Sequence, residues 1–169
     1  MALPSPEIIA TITRKKARYA RYLDTKQWEK YEGDVSLPDT HFRYLDVDGE
    51  PLQLGMTTSC VFDSTKSFAA FFSKFFANLQ SLHNIGPGDF EQTSPEEVKV
   101  VWGFEDQIIL APLWSLAELR GGGYYYETWR LVDGDWFLHD LVVKRTYQKE
   151  TLLVKAVFLI QKQLGISLL

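Results

Sequence analysis

Few side chains in this sequence stand where chemistry could be done, and three lead: Tyr19, Asp24 and His83. Histidine is the side chain best suited to moving protons near neutral pH. His83 sits in Asn78–Ile85, which reads as a short strand ending at a Gly86-Pro87-Gly88 turn. Tyr19 falls on the apolar side of an N-terminal helix, so its ring faces inward and its hydroxyl needs a partner there. Asp24 lies at a break between two helices, where its carboxylate either turns inward or caps the second helix; spacing leaves both open. A core tyrosine and a structural histidine are equally ordinary readings of Tyr19 and His83. His41, at a loop start, and His139, on a half-exposed strand, have less in their favour.

Other chemistries are excluded or unsupported. Cys60 is the only cysteine, so no internal disulfide forms and a reducing, cytoplasmic setting is the simplest expectation. One cysteine and three scattered histidines give no zinc spacing, and neither metal nor cofactor is expected. Gly121-Gly122-Gly123 is followed by no Lys-Ser/Thr pair, and Gly86-x-Gly88 is too short for a dinucleotide site. No G-x-S-x-G elbow is present, and Cys60 lacks the surroundings of an activated thiol. A net charge of -4 argues against nucleic acid and against anionic membranes as partners. The segment MALPSPEIIATITRKK lacks the apolar core of a signal peptide, and the run Ala156–Ile160 is too short to cross a bilayer. The 169 residues are 46% hydrophobic, with 11 Phe, 8 Tyr and 5 Trp, enough for one domain over 1–169 with a substantial core or an apolar pocket.

The elements that must position these groups are legible. Ser5-Pro6 opens a helix over about 6–23, with Ile8, Ile12, Tyr19 and Leu23 on one side and Arg14, Lys15, Arg18 and Arg21 on solvated faces. Asp24-Thr25-Lys26-Gln27 resembles a capping box before Trp28 and Tyr31. Phe42–Val47 and Leu52–Leu54 flank Asp48-Gly49 as a hairpin. After a cap at Asp63, Phe68, Phe71, Phe72, Phe75, Phe76 and Leu79 form a broad apolar stripe that must pack on a sheet. Val98, Val100, Trp102 and Phe104 alternate along a strand, and Asp133-Gly134 joins two more. The glycines at 121–123 mark a bend before Tyr124-Tyr125-Tyr126. Lys149–Leu164 is a last amphipathic helix, stopped by Gly165 and expected to dock on the sheet. The order describes an α+β fold with helices on one face of a curved antiparallel sheet.

With these elements in place, Ala17–Trp28 resembles the first helix of the SnoaL-like branch of the NTF2-like superfamily, which includes polyketide cyclases, scytalone dehydratase and bile-acid dehydratase. Gly121–Glu127 with Val132–Trp136 looks like that family's penultimate hairpin, and Leu82–Ile85 falls where its dehydratases carry a histidine. The resemblance implies a cone-shaped α+β barrel whose sheet and helices enclose an apolar pocket. It implies His83 as general acid or base, Asp24 as its orienting carboxylate, and Tyr19 and Tyr44 as groups that polarise a carbonyl. Phe72, Trp102 and Tyr125 would line the substrate site. The strand Glu105–Ile109 lacks the second histidine of scytalone dehydratase, where Asp106 is the candidate replacement, and Tyr126 stands where many relatives have histidine. The function so implied is cofactor-independent dehydration, isomerisation or cyclisation of a small apolar ring compound, by a homo-oligomer paired through the Tyr124–Trp129 strand. A non-catalytic ligand-binding or protein-interaction module is the alternative. A dioxygenase β-subunit, which shares the fold, would require a metal-bearing partner.

Overall fold

The computed structural model describes residues 2–53, 59–110 and 116–164. Helix α1, Pro6–Asp24, is capped by Ser5, whose hydroxyl accepts from the Ile8 amide, and Pro6 occupies a first-turn position that needs no N–H. Helix α2 is Trp28–Asp34, and its cap position is Gln27. The capping box expected at Asp24 is therefore absent: Asp24 ends α1, and its carboxylate turns toward a strand. Helix α3, Thr65–Phe75, starts one residue later than expected, because the hydroxyl of Ser64, not Asp63, accepts from the Ser67 amide.

Six strands follow the order β2-β1-β6-β5-β4-β3, with β1 Ser36–Leu45, β2 Val61–Phe62, β3 Leu79–Ser94, β4 Glu97–Leu110, β5 Glu118–Val132 and β6 Asp135–Glu150. Strands β3 to β6 form an antiparallel meander, but β1 runs parallel to β6. The curved sheet is thus mixed where an antiparallel one was expected. It does not close into a barrel, because β2 and β3 remain its two edges. The parallel pair follows from topology: the chain leaves β1 and traverses α3 and four strands before β6 returns beside it.

Three local expectations change. His41 lies within β1, opposite Asp140, and not at a loop start. The arm at 52–54 gives only the isolated bridges Leu45–Pro51 and Gln53–Ser59, and Leu54 is outside the described residues. Strand β3 continues through Gly86–Gly88, where the register skips between Ile85 and Gly88, so this is an irregularity in a long strand rather than a turn. The hairpin at Asp133-Gly134 forms as expected, both residues taking positive φ (51° and 83°), as its primed turn requires.

One face of the sheet holds the core. Val98, Val100, Trp102 and Phe104 are buried in alternation along β4. Phe68 of α3 stacks on Phe42 of β1 with ring centroids 4.2 Å apart. Burying such a ring stabilises by roughly 1.5–3 kcal/mol. Helix α4, Leu152–Leu164, follows β6 directly. Its Leu152, Leu159 and Ile160 are exposed, so the expected docking on the sheet does not bury them. Gly165 and the side chains at 157 and 164 lie outside the described residues.

Candidate active site

The end of α1 and the start of β3, more than fifty residues apart in sequence, meet in space. His83 Nδ1 lies 2.7 Å from Asp24 Oδ1; the His83 amide donates to Oδ2 at 3.0 Å and the Ser81 hydroxyl to Oδ1 at 2.7 Å. Three donors from one strand hold the carboxylate, and both side chains are nearly buried, at 12% exposure for Asp24 and 7% for His83. Burial alone would raise the Asp24 pKa. The hydrogen bonds and charge of His83, with the Ser81 bond, outweigh it and hold the carboxyl below its ordinary value. In the neutral imidazole, an ionised Asp24 places the ring proton on Nδ1 and the lone pair on Nε2. Nε2 has no hydrogen-bond partner among the described residues.

His83 lines a partly open chamber between sheet and helices together with Tyr19, Tyr44, Phe72, Phe75, Phe76, Phe104, Asp106, Tyr125 and Arg145, among others. Its volume is about 30 Å³, space for about one water molecule. The Tyr19 and Tyr44 hydroxyls are 2.8 Å apart, so one donates to the other and one O–H proton stays available. The Tyr125 hydroxyl has no hydrogen bond among the described residues. Burial pushes all three phenols well above their ordinary pKa, keeping them protonated as donors. Of the four residues expected at a substrate site, Tyr44, Phe72 and Tyr125 line this chamber. Trp102 does not: its indole N–H donates to Glu127 Oε2 at 2.7 Å, and its ring meets Phe90, in a separate part of the core.

Two charged clusters escaped the sequence reading. Arg145 of β6 reaches across β5 to Asp106 of β4, with Nη1–Oδ1 at 3.0 Å and Nη2–Oδ2 at 2.6 Å. It passes over Gly121, where a Cβ would lie 1.9 Å from Nη1. Asp106 is thus a carboxylate paired with an arginine. Lys16 Nζ meets Glu127 Oε1 at 2.5 Å beneath the Tyr19 and Tyr125 rings, 4.0 and 3.4 Å from their centroids, and Trp102 and Trp129 both donate to Glu127. Lys15 is also buried, over Phe137 and 2.8 Å from Asp135, which corrects its placement on a solvated face. The available signal was strand parity: Asp106 continues the inward series after Phe104, Glu127 sits between Tyr125 and Trp129, and Arg145 follows Leu141 and Val143.

Tyr126, on the outer face, is 41% exposed and lies under Lys144. His41 and His139 flank Asp140 far from this wall of the molecule and outside the chamber lining. Among the described residues, no group of three His, Cys, Asp or Glu side chains could hold a metal ion, and no helix is long and apolar enough to cross a membrane.

A curved, open sheet backed by helices is also the architecture of several solved proteins. The chain superposes on the "putative scytalone dehydratase" of Novosphingobium aromaticivorans with a TM-score of 0.69 at 14% identity, over 84% of this chain and 86% of that one. It superposes on hexachlorocyclohexane dehydrochlorinase LinA-type3 of Novosphingobium barchaimii with a TM-score of 0.66 at 12% identity, over 85% and 89%. In sequence it is 35% identical to "probable cyclase FGR4" of Gibberella zeae across 145 residues, 86% of this chain and 95% of that protein. No family model matches the chain. On this fold and this relative, the chain belongs to the SnoaL-like branch of the NTF2-like superfamily.

Proposed function

We propose that the protein is a cofactor-independent acid–base enzyme, a dehydratase, isomerase or cyclase, acting on a small apolar ring compound such as a polyketide or terpenoid intermediate of secondary metabolism. The observation that carries this reading is the 2.7 Å contact of His83 Nδ1 with Asp24, which leaves Nε2 without a partner among the described residues at the wall of an aromatic chamber. The names of its relatives, a cyclase, a dehydratase and a dehydrochlorinase, belong to the same class of chemistry.

In this mechanism His83 Nε2 removes a proton from a carbon next to a substrate carbonyl. The C–H electron pair becomes the new π-bond, and the carbonyl π-electrons move onto oxygen. Asp24 stabilises the imidazolium through Nδ1. The Tyr19–Tyr44 pair and Tyr125 donate to the oxyanion, in surroundings where desolvation strengthens such bonds. The imidazolium then returns its proton, to another carbon in an isomerisation or to a departing hydroxyl, released as water, in a dehydration. Placed acid–base groups contribute ~10²–10⁴-fold each.

The chamber's small volume sets a condition on this scheme. A ring substrate fits only after the aromatic wall of Phe72, Phe75 and Phe76 moves aside, so binding and opening are coupled. The same observation favours a second reading, a ligand-binding or interaction module whose aromatic filling stays shut. Ring ketones incubated with the protein in D₂O separate the two. NMR-detected loss of the proton next to the carbonyl, faster than in buffer, supports the enzyme; no acceleration for any ketone in a broad panel supports the module.

A further inference from the structure

The buried ion pair of Lys16 and Glu127 has no part in the acid–base scheme, yet local spacing ties it to two of that scheme's donors. On α1, Lys16 and Tyr19 are three residues apart and share a helix face. On β5, Tyr125 and Glu127 are two apart and share the inner face of the sheet. Between helix and strand, Lys16 Nζ lies 2.5 Å from Glu127 Oε1, and 4.0 and 3.4 Å from the Tyr19 and Tyr125 ring centroids. The two rings meet edge to face, 5.8 Å apart. Both tyrosines line the chamber, while Lys16 stays outside its lining.

Stability is a poor account of this arrangement. Desolvating two charges costs about what their attraction returns. Burial drives the Lys16 pKa down, and Glu127 acts against it to keep the ammonium charged. Glu127 is itself fixed by the indole N–H groups of Trp102 and Trp129, 2.7 and 2.9 Å from Oε2. An ammonium has three N–H donors. Glu127 takes one, and the other near neighbours of the charge are two π-faces. A phenylalanine face would hold a cation too, so the cation alone does not call for hydroxyls. When a phenol donates to an oxyanion, negative charge grows on its own oxygen and ring. A cation against the ring face stabilises that charge more than it stabilises the neutral phenol, and burial keeps the screening weak. The interaction therefore strengthens as the oxyanion forms, which is the condition for lowering a barrier.

Resting on the acid–base reading and deepening it, we infer that Lys16, held by Glu127, strengthens Tyr19 and Tyr125 as donors to a substrate oxyanion. Lys16 touches no substrate. It is a positioning residue that acts through the two rings, and Glu127 acts through Lys16.

Other groups also reach these phenols. Asp106, Glu127 and Asp24 push the ionisation of Tyr125 up and Arg145 pulls it down; Glu127 pushes Tyr31 up; Tyr19 faces the phenols of Tyr44, Tyr125 and Tyr31. The test is the ionisation of 3,5-difluorotyrosine, a stronger acid than tyrosine, placed singly at 19, 125 or 31 and followed by ¹⁹F NMR without substrate. Tyr31 is the reference, because it is as deeply buried and its ring packs on Tyr19 and Phe68. Lys16→Gln/Glu127→Gln exchanges the ion pair for a neutral amide pair of similar size that still accepts from both indoles. In that variant, positions 19 and 125 should ionise about one pH unit higher than in wild type, as tenfold weaker acids. Position 31, relieved of the Glu127 charge, should not rise. Lys16→Arg, which keeps a cation, should stay near the wild-type values. Unchanged or lower values at 19 and 125 in the neutral-pair variant would overturn the inference. If that variant does not fold, the wild-type chain decides: position 125 should ionise at lower pH than position 31, and the reverse order would overturn it. In turnover, the neutral pair should lower kcat for ketone exchange by about tenfold with little change in KM. That loss should vanish in a Tyr19→Phe/Tyr125→Phe background, and an equal loss there would also overturn it. Because the titration needs no turnover, a protein inactive in proton exchange can still pass it, and an active one can fail it.

Discussion

Asp24 uses both carboxylate oxygens on β3, accepting from a side chain, a backbone amide and a hydroxyl within three residues of that strand. This has a consequence for acid stability. Its folded pKa lies below the unfolded value, so between the two the native state binds fewer protons and stability rises with pH. The contribution is present above the ordinary Asp value of about 3.9 and is lost as pH falls through the depressed folded value. Urea titrations from neutral pH down to about pH 3 should show wild type losing more stability than Asp24→Asn; parallel curves would mean that the carboxylate is not held as described. In the acid–base scheme, Tyr44→Phe breaks the Tyr19–Tyr44 hydroxyl pair and removes one donor, and should lower turnover by about tenfold or more while leaving the core intact. Rate and melting temperature together check it, because a purely structural role would move only the second.

At the scale of the element, β5 is where sequence and packing are most tightly tied. Gly121 keeps open the space taken by the Arg145 guanidinium, whereas a Cβ at Gly123 would lie 2.0 Å from the backbone carbonyl of Lys144. A side chain can yield and a paired backbone cannot, so Gly123→Ala should destabilise more than Gly121→Ala, each by more than about 1 kcal/mol. Gly33 of α2 has open space around its would-be Cβ, so Gly33→Ala should be neutral or stabilising by up to about 1 kcal/mol. Denaturant midpoints of the three variants test this order. The glycines were legible as a bend; that one of them admits an arginine was not, because it depends on which strand passes alongside. Helix periodicity and strand alternation revealed α1, α3, β4 and the Asp133-Gly134 hairpin, since each is set by local spacing. The parallel β1–β6 pair and the burial of Lys15 and Lys16 depend on partners about a hundred residues away or further, Asp135 and Glu127 for the two lysines, and no local pattern encodes them. Asp24 was ambiguous for the same reason: cap and site carboxylate look alike until β3 is placed beside it.

Across the whole molecule, the sheet has two unlike faces. The inner one carries the core and chamber; the outer one exposes Tyr124, Tyr126 and Tyr147 at 46, 41 and 44%. Three exposed aromatics on neighbouring strands are a surface suited to association. A homo-oligomer is therefore expected by sedimentation, and Tyr124→Lys/Tyr126→Lys should shift it toward monomer with little loss of fold. Inside, the account stands or falls on whether His83 moves protons. The direct measurement is the rate of deuterium incorporation next to the carbonyl of a ring ketone that wild-type protein exchanges, compared with His83→Gln and Asp24→Asn whose circular dichroism matches wild type. The account predicts a loss of ~10²–10⁴-fold for His83→Gln and a smaller loss for Asp24→Asn. Exchange at the wild-type rate in folded His83→Gln would contradict it.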